Sequence, residues 1–210
     1  MRELSPKGIK EILLKLEPSL PILAPALMTE DRLTYGLNHW VHEHVERLLL
    51  AGLDKDAIIY DVGCGTGVWL LRLYERGYKN LVGFEVSSQR ARWAGAILDH
   101  TDVPIFTSNM LPLGLNIPLS PHLITAFGFV FERGELHEKL AESAVDHVVV
   151  GTRVAFDWLS WEKEPKMGRQ YEPVEVAIRA FERQGFETIC VESEVKRSYT
   201  REFVVVRWKA

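Results

Sequence analysis

Asp61, Gly63, Gly65 and Gly67 lie in the run DVGCGTG, and Glu85 follows 18 residues after Gly67. The run ends a short apolar stretch, IIYDV, and leads into helix-forming residues, VWLLRLYE. Glycines where a strand turns into a helix let the backbone approach a ligand closely, and the helix start presents free N–H groups to it. In an open parallel sheet this place, outside the carboxyl ends of the strands, is the ligand crevice. Spacing narrows the ligand. A dinucleotide fingerprint G-x-G-x-x-G counted from Gly63 requires glycine at 68, which is Val68, and a phosphate loop requires a lysine that the run lacks. An acid at the strand end, Asp61, suits a positively charged group such as an ammonium. Glu85 closes NLVGFE at the tip of the second strand, where a carboxylate can accept two hydrogen bonds from ribose hydroxyls. The residues thus predict a ribose-bearing ligand with a cationic group near Asp61 and no phosphate anchor.

These residues need a sheet to hold them. Apolar, β-branched runs occur at 57–62, 80–85, 103–107, 122–127, 145–151, 187–192 and 202–208, with helical stretches at 67–77, 88–99, 134–143 and 173–184. Alternation of this kind predicts an α/β fold with a mostly parallel sheet and helices on both faces. The last two runs have no helix between them and should form an antiparallel hairpin at the sheet edge. Ahead of this core, residues 7–16 can form a short amphipathic helix. Pro18, Pro21 and Pro25 favour an extended arm, and 30–51 reads as a longer helix. The predicted division is an N-terminal helical extension over 1–55 and a core domain over 56–210.

Composition excludes several classes. Of 210 residues, 47% are hydrophobic, enough for a sizeable core and too many for a disordered chain. A net charge of −4 gives no global attraction to nucleic acid or anionic membranes. No apolar run is long enough to span a bilayer, and the N-terminus lacks a signal-peptide layout. The two cysteines, Cys64 and Cys190, make neither a disulfide framework nor a metal knuckle, which fits a reducing, cytoplasmic setting.

DVGCGTG at 61–67 and GFEVSSQRARWA at 83–94 closely resemble the first two motifs of the class I S-adenosylmethionine-dependent methyltransferases. That resemblance implies a Rossmann-like, seven-stranded sheet ending in an antiparallel hairpin, with S-adenosylmethionine as cofactor. It implies that Gly63, Gly65 and Gly67, with Cys64 between them, hold the methionine and ribose portions. Asp61 would orient the amino end, Glu85 would bind the ribose diol and Val86 would lie against the adenine. After strand three the family usually carries an acid at the adenine amino group. Here the text is IFTSNMLPL, so Asn109 is the nearest substitute, with Thr107 and Ser108 as other alignments. Met110 and Phe127 complete the cofactor-binding set. An acid often starts strand four, where this chain has His122.

The remaining candidates each carry two readings. Cys64 has no base placed beside it by the sequence and reads as structural. His39, His42 and His44 cluster without a metalloprotease pattern or a second ligand set and read as packed or solvated, so no metal is expected. Phe129 is either pocket lining or core, and Glu132 is either a proton acceptor or the start of a helix. The segment 151–173 follows strand five and carries Arg153, Trp158 and Trp161, which read as substrate recognition or as a loop packed on the N-terminal arm. Tyr35 lies in an extension that acts as a lid or as a packing contact. No residue pattern marks a general base, so the catalytic group is unassigned. The amino-purine and 5-methylcytosine signatures are missing, which argues against a nucleic-acid substrate. The reading is a small-molecule O- or N-methyltransferase. A protein (lysine) methyltransferase and a cofactor-binding protein without transfer are the alternatives. The sequence says nothing of oligomeric state.

Overall fold

A computed structural model of the chain describes residues 5–19, 45–50, 52–107, 121–127, 147–156, 174–196 and 199–209. The chain forms two compact units, Met1–Asn109 and Met110–Ala210.

The first unit is built on three parallel strands, β1 (Ile59–Val62), β2 (Leu81–Glu85) and β3 (Ile105–Thr107), with β2 between the other two. All four residues of β1 are buried, as a strand covered on both faces requires. Three helices accompany them: α1 (Pro6–Leu16), α2 (Val68–Glu75) and α3 (Ser88–Ile97). Helix α1 starts where the sequence signals it. Ser5 Oγ accepts the Gly8 N–H at 3.2 Å, and Pro6 occupies the first turn, where its missing N–H costs nothing. Ile9 and Leu13, one turn apart, are both buried, and α1 packs on α3, with Glu17 pairing Arg92 at 3.5 Å.

Of the helix expected over 30–51, only its end lies among the described residues, and Glu46–Leu50 forms a π-helical turn. This turn is tied to the base of the unit. Glu46 Oε1 pairs with Arg72 Nε at 2.5 Å and Arg76 Nε at 3.0 Å. The hydroxyl of fully buried Tyr78 donates to Leu50 O at 2.7 Å, and Asn80 Nδ2 donates to Asp56 O at 2.7 Å. These anchors sit at the C-terminal end of α2 and just before β2. Because β1 and β2 are parallel, that is the end of the strands opposite the glycine run.

The second unit holds β4 (Leu123–Phe127), β5 (His147–Phe156), α4 (Val174–Arg183), β6 (Phe186–Lys196) and β7 (Tyr199–Trp208). β4 and β5 are parallel, β5 and β7 antiparallel, and β6 pairs antiparallel with β7. The expected hairpin is present and is longer than its apolar runs. Val204, Val205 and Val206 are all fully buried in β7, while α4, β6 and β7 meet through Phe181, Phe186 and Trp208, whose rings are edge-on at 5.6 and 5.0 Å.

One expectation is corrected. The segment beginning at Gly151 is not a loop from its start, because β5 continues to Phe156, paired with β7 through Tyr199. Arg153 is therefore a strand residue, in register with Arg201 beside a bulge. The cause is non-local. The β7 strand supplies a ladder partner to residues whose own text, TRVAF, has no clean alternation.

Candidate functional site

The site grows from the carboxyl ends of β1 and β2. Asp61 on β1 and Glu85 at the end of β2 are both only 3% exposed, so two acids lie buried at the tips of adjacent strands. Buried carboxylates require donors. For Glu85 these come from the backbone: the Gly65 N–H donates to Oε2 at 2.9 Å and the Ser87 N–H to Oε1 at 2.9 Å.

The glycine run is held in a defined shape. Gly63, Gly65 and Gly67 all have positive φ, at 74°, 58° and 75°. The N–H groups of Gly63 and Cys64 both donate to Phe84 O, at 2.7 and 3.0 Å, which binds the run to β2. Gly67 carries a double requirement. Its φ is left-handed, and a Cβ there would lie 2.9 Å from Leu98 Cδ1 and 3.1 Å from Ala94 Cβ. The start of α2 is thereby pressed against α3. Gly65 differs: a Cβ there would meet nothing within 4 Å, so its backbone faces open space beside the Glu85 carboxylate. That opening is where a ligand would meet the run.

Cys64 is buried, and its sulfur lies over Gly83, where a Cβ would fall 2.9 Å from Sγ. Burial, and then the charges of Asp61 and Glu85, push its thiol well above the ordinary value, so it stays protonated. A protonated, buried thiol is a packing group, which agrees with the structural reading of Cys64. Val86, one residue past Glu85, is 60% exposed, and Phe106 on β3 is also exposed, its ring stacked on Phe84 at 5.7 Å. These apolar surfaces flank the strand tips.

Asp61, Gly63, Cys64, Gly65, Gly67, Glu85 and Val86 are thus brought together in the first unit. Phe127 ends β4 and Arg153 lies in β5, both in the second unit. Asn109, Met110, Tyr35, Phe129, Glu132, Trp158 and Trp161 lie outside the described residues, as do His39, His42 and His44. Among the described residues no cluster of His, Cys, Asp and Glu could hold a metal, and no helix is long and apolar enough to cross a membrane. Sequence reasoning missed Ser87. Its side chain caps α3 by accepting the Arg90 N–H at 3.3 Å, a pattern legible in the text, but its backbone donation to Glu85 leaves no mark in residue type.

No family model matches the chain, and no curated relative matches it. Solved structures do. Magnesium protoporphyrin IX methyltransferase (ChlM) from Synechocystis, with bound SAH, is 16% identical with a TM-score of 0.67, over 85% of this chain and 84% of that one. The chain has the class I methyltransferase fold. The ribosomal protein L11 methylase from Lactobacillus delbrueckii subsp. bulgaricus is similar at 16% identity and TM-score 0.55, over 82% of this chain and 81% of the other. So is SpnF, a [4+2]-cyclase, at 15% identity and TM-score 0.65, over 81% of each chain. The methyltransferase fold therefore also carries an enzyme named for another reaction, and at these identities the likeness is one of fold.

Proposed function

We propose that the chain is an S-adenosylmethionine-dependent methyltransferase acting on an oxygen or nitrogen atom of a small molecule. One observation carries this reading. Gly65 opens onto free space beside the Glu85 carboxylate, with buried Asp61 at the neighbouring strand tip. The donor set fits the cofactor: acceptors for a ribose diol and for an amino group, an apolar surface at Val86 for a base, and no lysine for a phosphate. Glu85 would hold the ribose hydroxyls, Asp61 the amino end, and Gly63, Gly65 and Gly67 the backbone contacts, with Asn109, Met110 and Phe127 closing the adenine and methionine ends. The bound cofactor would supply an activated methyl group. The chain's task is to hold the acceptor in line with it and exclude water.

In the same reading the fold is a Rossmann-like, seven-stranded, mostly parallel sheet, residues 56–210 form the transferase domain, and residues 1–55 form an extension that acts as a lid, with Tyr35 as a pocket residue. Phe129, Glu132, Arg153, Trp158 and Trp161 are the proposed lining of the acceptor pocket. The acceptor partner is a small molecule rather than a nucleic acid or a membrane surface, and the setting is cytoplasmic. That a solved methyltransferase of this fold is named for a porphyrin supports a small-molecule acceptor. The ribosomal protein methylase favours protein as the second reading. The cyclase, named for a reaction other than methyl transfer, favours the reading without methyl transfer as a third.

Titration calorimetry tests the reading. S-adenosylmethionine and S-adenosylhomocysteine should bind at micromolar concentration, NAD should not, and Glu85→Ala should weaken binding by at least about tenfold, the loss of one charge-assisted hydrogen-bonded contact. Absence of binding by folded, ligand-free protein would overturn it. Incorporation of labelled methyl into small molecules or into protein then separates the first two readings.

A further inference from the structure

We infer that Glu85 is a positioning residue for the glycine run before any ligand arrives, a role distinct from holding a ribose. The carboxylate sits between two backbone donors twenty-two residues apart, Gly65 at 2.9 Å and Ser87 at 2.9 Å. One oxygen takes each donor. The side chain therefore bridges the middle of the run to the first residue of the α3 cap, and it does so from a site only 3% exposed.

The bridge matters because the rest of the run is tied elsewhere. Gly63 and Cys64 are bonded to Phe84 O, and the Gly67 N–H donates to Cys64 O at 2.9 Å. The Gly65 N–H makes none of these backbone bonds, and a Cβ there would meet nothing within 4 Å. A glycine at positive φ with open space on its side-chain side is not fixed by packing there, as Gly67 is. The Glu85 oxygen is the group that holds it. An ionised carboxylate has about four lone-pair sites, so two backbone donors leave acceptor capacity on each oxygen. The same group can hold the run and still receive two hydroxyls, which then meet a carboxylate already fixed in place.

Amide hydrogen exchange on the ligand-free protein, resolved by NMR, tests this. In the wild type the Gly65 and Ser87 amides should be protected. In Glu85→Gln one acceptor oxygen becomes an amide donor that faces an N–H. Exchange at Gly65 or Ser87 should then accelerate by about tenfold to a hundredfold, the scale of one hydrogen bond to a charged group, while Gly63 and Cys64 keep their protection. If Glu85→Gln does not fold, Glu85→Asp, one methylene short of the same donors, gives the same comparison. Gly65 exchanging as an open loop in the wild type, or unchanged exchange at both amides in the variant, overturns the inference. Its consequence for affinity rests on the proposed cofactor, but the exchange pattern does not. Protected amides with no calorimetric binding would sink the cofactor reading alone.

Discussion

At the scale of single residues, the site is set by atoms that are missing. Gly67 has no Cβ because Leu98 and Ala94 occupy the place one would take, and its φ of 75° disfavours any other residue. Gly67→Ala should destabilise the protein by about 1–3 kcal/mol through backbone strain and the clash with α3, measured as a lower urea midpoint. Cys64 gives a prediction with pH. Its thiol is held protonated in the folded protein, whereas the unfolded chain loses the proton above the ordinary thiol value of 9.0. The unfolded state then binds fewer protons, so stability is full below that pH and falls above it, by at most about 1.4 kcal/mol per pH unit for one group. Burial raises Tyr60 in the same direction. Urea midpoints between pH 8 and 10 should fall more steeply for the wild type than for Cys64→Ala. Equal slopes would show that the thiol titrates alike in both states.

At the scale of elements, what the sequence made legible was whatever repeats or punctuates. β1, the glycine run, α2, β2 and α3 follow from an apolar run, closely spaced glycines and helical periodicity, and they stand where the text predicts within a few residues. Three features were not legible, each for a physical reason. The extension of β5 past Gly151 depends on β7, which lies some fifty residues away in the chain. The bridge from Ser87 to Glu85 uses a backbone N–H, which every residue but proline possesses. The π-helical turn at 46–50 is held by partners from α2 and from the segment before β2. That turn yields a prediction. Tyr78→Phe removes the hydroxyl from a buried carbonyl of Leu50 and should cost about 1–3 kcal/mol, seen in thermal unfolding. Glu46→Gln, in a partly exposed pair, should cost about 1 kcal/mol or less.

At the scale of the whole molecule, ligand and stability are linked. A cofactor that binds only the folded protein adds about 2.7 kcal/mol at a hundred times its dissociation constant. For a chain of 210 residues that corresponds to a rise in Tm of about 5–10 °C. S-adenosylhomocysteine should produce this rise in a thermal-shift measurement and NAD should not. An equal response to both, or to neither, would contradict the proposed ligand.

The close fit of the glycine run to its surroundings has a consequence for how this sequence could drift over generations. Gly67 is pressed against Ala94, and the Cys64 sulfur fills a notch that exists because position 83 has no side chain. Three small residues far apart in the text thus each leave a space that a neighbour occupies. A library of variants selected only for folding should vary freely at exposed positions such as Arg90 and Lys79, yet return glycine at 67 and 83 and nothing bulkier than alanine at 94. Lineages that have come to share little of their text could in this way keep one fold, because what descends with it is a small set of empty spaces.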